Sequence, residues 1–284
     1  MVQANGLRFR TLVDGPPDGE LFLLLHGFPE GAESWSHQLG TLAKAGFLAV
    51  APDLRGYGLT DAPEDLAGYG IDHLVEDARF MITAFGRPAA HVAGHDWGAM
   101  VAWFFAGKYP EMTKTLTVLS VPHPAALADA SRDDEDQQAR SRYIALFLQQ
   151  GKAEHVLEDE EYRRLRSMYR AGPSGDAIPE KVISHYVKSL SRPGRLTAAL
   201  NYYRANLASN GGAWEALSAI GPITAPTVLV WGDEDPALGR RAAEATERHV
   251  QGEYRLEVLK GAGHWLQFER PDEVSRALAA AASK

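Results

Sequence analysis

The chain has 284 residues, 45% of them apolar, and a formal net charge of -8, enough for one large core or for a core with a smaller appended unit. Lys and Arg are scattered among acids, which excludes the basic stripe of a nucleic-acid binder and the polybasic patch of a membrane-surface protein. The absence of cysteine excludes disulfides, thiolate metal sites and cysteine nucleophiles.

The opening segment MVQANGLRFR lacks the charged-then-apolar layout of a secretory leader. No apolar run approaches the roughly 20 residues that span a bilayer, so the expected location is cytoplasmic. Short apolar runs bounded by turn residues follow at 21–25, 47–51, 90–93 and 116–121, and read as strands buried on both faces. Helix-like stretches lie among them at 35–45, 71–85 and 99–109, the last stopped by Pro110. This alternation predicts right-handed βαβ crossovers and a mostly parallel, doubly wound α/β sheet.

After Pro122 and Pro124 the texture turns polar and aromatic, with no convincing strand, for about 90 residues, too many for an ordinary loop. Strands resume at 227–231 and 254–259, separated by a helix over 238–250, and a helix closes the chain from Asp272. The expected organisation is a core of residues 1–122 and 213–284 interrupted by a helical cap at 123–212.

The most informative segment is Gly94-His95-Asp96-Trp97-Gly98, placed between a buried strand and a helix. Small residues flank the centre because a turn that sharp brings backbones close and holds the middle side chain in a strained, exposed position. It reads as a nucleophile elbow carrying Asp where esterases carry Ser. Asp is also a favoured helix N-cap, but the preceding strand and both glycines favour the elbow. A carboxylate needs no deprotonation before attack and displaces an alkyl leaving group at saturated carbon, forming an ester of itself. Its hydrolysis calls for activated water and an oxyanion hole.

Nucleophile, acid and His in that chain order suit such a sheet. His264, in the small-residue turn GAGHW after a predicted strand, is the candidate general base. Asp233 and Asp235, at the end of TVLVWGDED, both could orient it, and spacing does not choose between them. Backbone N–H groups of Phe28, in LFLLLHGFPE, and of Trp97 are the candidate oxyanion donors. Phe28-Pro29 is a candidate cis peptide, and Glu30 could pair with His95 to brace the two loops.

HGFPE, DLRGYG at 53–58, GHDWG, LSVPHP, WGDED and GHW together resemble the epoxide hydrolases of the α/β-hydrolase fold, over nearly the whole chain, with haloalkane and fluoroacetate dehalogenases as close relatives. The elbow and HGFP together are the specific motifs; each of the others alone is weak. The resemblance implies that Asp235 is the orienting acid. It also implies two cap tyrosines that donate to the epoxide oxygen, Tyr143 in RSRYIALFLQQGKAE and Tyr203 in LNYYRAN, with Tyr202 and Tyr186 as substitutes if the register differs. Against a dehalogenase stand Phe28 after His26-Gly27, the lack of Trp from 123 to 212, and Trp97 and Met100 where fluoroacetate dehalogenases carry arginines.

The expected activity is therefore hydrolysis of an epoxide to a vicinal diol through an aspartyl ester, with Asp96, His264, Asp235, Tyr143 and Tyr203 catalytic. Phe28, Pro29, Trp97 and Phe147 are expected to line the pocket. No metal or organic cofactor is implied, and the partners are a small apolar epoxide and water, in a monomer or homodimer. The alternatives are a haloalkane or haloacid dehalogenase using the same Asp and, more remotely, a hydrolase fold kept as a ligand-binding module.

Overall fold

The computed structural model describes residues 1–208 and 214–282. The expected junction at 212 and 213 lies outside them. An N-terminal antiparallel hairpin joins β1 (Val2–Ala4) to β2 (Leu7–Phe9). Its turn residues Asn5 and Gly6 have φ of 45° and 76°, the left-handed conformations that two-residue hairpins demand.

The main sheet has seven strands in the order β3-β5-β4-β6-β7-β8-β9. These are β3 (Thr11–Asp14), β4 (Leu21–Leu25), β5 (Leu48–Pro52), β6 (Ala90–His95), β7 (Thr113–Leu119), β8 (Thr227–Gly232) and β9 (Tyr254–Leu259). Only the edge pair β3 and β5 is antiparallel. The apolar runs are continuous because both faces are covered. On one face Leu21, Leu23, Leu25, Val50 and Val92 pack with residues of α2 (Ile71–Ala84) and α3 (Trp97–Lys108). On the other, Phe22, Leu24, Ala49 and Ala93 pack with α1 (Ser36–Lys44) and the C-terminal helix Pro271–Ala282.

Between the parallel neighbours β7 and β8 the chain is helical and, among the described residues, without strand. It forms α4 (Pro124–Asp133), α5 (Glu135–Arg140), α6 (Ile144–Phe147), α7 (Lys152–Met168), α8 (Glu180–Leu190) and α9 (Arg195–Leu207). α7 leaves helical geometry at Asp159 to Tyr162, with φ positive at Glu160, Glu161 and Tyr162. The insertion is tied down on core carbonyls: the Tyr169 hydroxyl donates to Pro29 at 2.5 Å, Tyr202 to Arg55 at 2.9 Å, and Arg192 to Gly58 at 2.8 Å.

The helix expected over 238–250 is shorter, α10 (Arg240–Ala245) followed by a tighter turn to His249. At the change Thr246 turns its hydroxyl back onto the Ala242 carbonyl at 3.0 Å, a bond that bends helices. α11 (Leu266–Glu269) and α12 (Pro271–Ala282) complete the chain. Among the described residues no helix is long and apolar enough to cross a membrane.

Candidate active site

β6 delivers Asp96 in a left-handed backbone conformation, φ 51° and ψ -122°, and α3 begins at the next residue. The flanking glycines are a steric necessity. A Cβ on Gly94 would sit 2.2 Å from the Gly98 carbonyl oxygen, and one on Gly98 would sit 2.1 Å from that of Leu25. Gly27 serves the same approach, since its Cβ would lie 2.3 Å from that of Asp96. Asp96 does not cap α3 with its side chain. Instead Oδ1 accepts the Phe28 N–H at 2.7 Å, and Oδ2 lies 3.7 Å from His264 Nε2.

The other ring nitrogen of His264, Nδ1, is 2.9 Å from Oδ2 of the fully buried Asp235. Oδ1 of Asp235 accepts the N–H groups of Ala237 and Leu238 at 2.7 and 3.0 Å, and Arg140 donates to its carbonyl. Asp233 is used elsewhere: its carboxylate accepts the Gly261 N–H at 2.7 Å. The carbonyl of His264 takes two donors, the Ser120 hydroxyl at 2.9 Å and His95 Nε2 at 2.8 Å. His95 Nδ1 lies 2.9 Å from Glu30 Oε2, so the elbow, the HGFPE loop and the His264 loop meet in one chain of contacts. Ser120, with φ 67°, sits in LSVPHP, and the sequence carried no signal of its contact.

Electrostatics follow from this geometry. Burial lowers the His264 pKa, but the carboxylates of Asp235 and Asp96 outweigh it and raise it well above the ordinary value. Burial raises that of Asp96, but His264, His95 and the Phe28 N–H bring the net shift below the usual value. Both shifts thus run toward the charged forms, a carboxylate at Asp96 beside an imidazole whose cation the two acids stabilise.

A cavity of about 260 Å³ opens over these groups, lined by Phe28, Asp96, Tyr143, Phe147, Tyr203 and His264 among others. Burial raises the pKa of both phenols, with the charge of Asp96 adding, and the two hydroxyls interact. Of the substitutes, Tyr202 is spent on the Arg55 carbonyl and Tyr186 faces a separate cavity with Arg10 and Asp53. Two expected lining residues lie beside the cavity, Trp97 in a void that shares Asp96, Tyr143 and Tyr203 with it. Pro29 does not line the cavity; its carbonyl accepts Tyr169. Trp97 lines a small adjoining void with Met100, Leu127 and Trp214, its ring centroid 6.2 Å from that of Trp214. Trp214 stands just beyond the stretch whose lack of Trp weighed against dehalogenation, and sequence reasoning missed it. Among the described residues no group of three His, Asp or Glu is placed to hold a metal ion.

A carboxylate at a strand-to-helix elbow, within reach of a His paired to a buried Asp, defines a hydrolase of the nucleophile-elbow type. Residues 20–271 match the family described as alpha/beta hydrolase fold, and the chain belongs to it. It is 36% identical to the AB hydrolase superfamily protein YfhM of Bacillus subtilis over 97% of this chain and 94% of that one. Identity to epoxide hydrolase A of Mycobacterium tuberculosis is 34%, over 98% of this chain and 95% of that one. An epoxide hydrolase variant from Bacillus megaterium, solved with its naphthyloxy-propanediol product, superposes with a TM-score of 0.91 and 30% identity, covering 100% of this chain and 99% of that one. Within the family, the chain stands with the epoxide hydrolases.

Proposed function

We propose that the protein hydrolyses small epoxides to vicinal diols through a covalent ester of Asp96. The observation that carries this reading is the meeting of Asp96, the His264–Asp235 pair and the phenols of Tyr143 and Tyr203 on a single apolar-walled cavity. The reading treats residues 123–212 as a lid that closes the cavity over the core.

An Asp96 oxygen attacks a ring carbon, the C–O bond breaks, and a tyrosine proton passes to the nascent alkoxide. Ester formation cancels the negative charge of Asp96 that stabilises the imidazolium form of His264 in the ion pair from which the cycle starts. The imidazolium proton then returns to the tyrosinate through solvent, leaving His264 neutral. Neutral His264, oriented by Asp235, takes a proton from water as the hydroxide adds to Asp96 Cγ. The N–H groups of Phe28 and Trp97 hold the resulting oxyanion. Collapse expels the second alkoxide, which takes the carboxyl proton. The diol leaves, and Asp96 and His264 are again an ion pair.

The test is an intact-protein mass after incubating the His264→Gln variant with equimolar terminal epoxide and a bromoalkane of similar length. A gain of the whole epoxide is expected, because the variant alkylates but lacks its base. A gain of the alkyl group alone would favour a dehalogenase, and no gain with either would count against Asp96 as nucleophile.

A further inference from the structure

One charged side chain on the cavity wall has no part in the reaction above. Arg164 lines it together with Ser167 and Met168 on the same face of α7, at spacings of three and four, and with Ala171 in the turn that follows. The neighbouring arginines are all paired: Arg163 with Glu160 at 2.8 Å, Arg166 with Glu180 at 2.8 Å, and Arg170 with Glu180 at 3.0 Å. Arg164, the one of the four that lines the cavity, has no ion pair and no side-chain hydrogen bond among the described residues.

The backbone of α7 is irregular just before Arg164. In a regular helix Glu160 and Glu161 would lie one turn below Arg164, the spacing at which acids pair with bases. Positive φ at 160, 161 and 162 interrupts that spacing, and Glu160 pairs with Arg163 instead. A solvent-exposed guanidinium without an ion pair among the described residues is left on the cavity lining, beside exposed Ser167 and the apolar Leu146, Phe147, Leu157 and Met168.

We infer that Arg164 is a specificity residue that receives a carboxylate carried by the substrate at the end remote from the epoxide ring. The inference rests on the epoxide reading and narrows it to small epoxides bearing an anionic group. A guanidinium presents parallel N–H donors that match a carboxylate, and the aliphatic wall suits the carbon chain between the two ends. The volume of about 260 Å³, just under the roughly 300–1,000 Å³ of small-molecule sites, suits a short chain rather than a long lipid tail. With a net charge of -8, the protein repels anions at long range, so such a substrate needs a local cation to be held.

The experiment compares two isosteric epoxides, one ending in a carboxylate and one in a carboxamide, with the wild type and Arg164→Gln, Arg164→Lys and Arg164→Glu. The wild type is expected to prefer the carboxylate in kcat/KM by about fivefold at low salt, with the preference shrinking as salt is added. Arg164→Gln should bring the ratio near one, Arg164→Lys should keep part of it, and Arg164→Glu should invert it. Equal use of both epoxides by the wild type, or a preference that survives Arg164→Gln, would overturn the inference while leaving epoxide hydrolysis in place. Turnover of neither epoxide by the wild type would overturn both.

Discussion

The two halves of the site hold their groups by different means. On the core side, Asp96, His264 and Asp235 are fixed through backbone: a left-handed elbow, two N–H groups on Asp235, and two donors on the His264 carbonyl. On the inserted side, Tyr203 is placed by rings, with centroids 5.0 Å from Phe147, 5.1 Å from Trp97 and 5.7 Å from Phe28. Tyr143 rests 5.2 Å from Phe147. Backbone contacts set an atom by direction and distance, whereas ring packing sets mainly distance and tolerates rearrangement. On the proposed mechanism, attack and ester hydrolysis at Asp96 sit on rigid ground, and the tyrosines that would protonate the epoxide oxygen sit on adaptable ground.

If that division holds, damage to the core groups should be the more severe. Asp96→Ala should cut diol formation by more than about 10⁴-fold, in line with the loss of a nucleophile elsewhere; normal turnover would remove Asp96 from the mechanism. Tyr143→Phe combined with Tyr203→Phe should cost about 10²- to 10⁴-fold, the range for a general acid. Each single change should cost less, because the remaining phenol still reaches the cavity; a double variant with full kcat would place the proton donor elsewhere.

A smaller effect probes how the inserted side is held. Arg204 binds Glu154 at 2.7 Å and donates from Nε to the Phe147 carbonyl at 3.0 Å. Burial raises the Glu154 pKa, but the Arg204 guanidinium outweighs it and the carboxyl falls to about 2. A depressed acid contributes stability above its unfolded value, about 4.3, and loses it as pH falls through the folded value. Glu154→Gln should therefore cost about 1–3 kcal/mol in urea unfolding near neutrality. The difference should fade as pH drops from about 4.5 toward about 2; a pH-independent difference would mean that packing rather than charge is at stake. The smallest effect is expected in ester formation itself. Because Asp96 stays ionised below the ordinary carboxylate range, single-turnover alkylation should be flat between about pH 5 and 7, and a fall within that window would contradict the Asp96–His264 ion pair.

What was legible in the chain follows the same division. The buried parallel strands announce themselves as unbroken apolar runs, and the elbow as glycines around an acid. The hairpin and β3 were missed because they are three or four residues long and partly exposed, too short for alternation to register. The choice between Asp233 and Asp235 depends on how the loop after Gly232 turns, which spacing does not encode. The places of Pro29 and Trp97 beside the cavity, the contact of Ser120 and the position of Arg164 on the cavity lining depend on non-local packing.

The contact between His95 and the His264 carbonyl has a bearing on tolerance to motion. His95 precedes Asp96 in the chain, so the His264 loop is gauged from the same strand end that carries Asp96. When that strand end shifts, both members shift together, and the error in their separation is smaller than the error in either position. A pair built this way keeps its spacing while the surrounding scaffold breathes, as two jaws cut from one block stay aligned when the block moves.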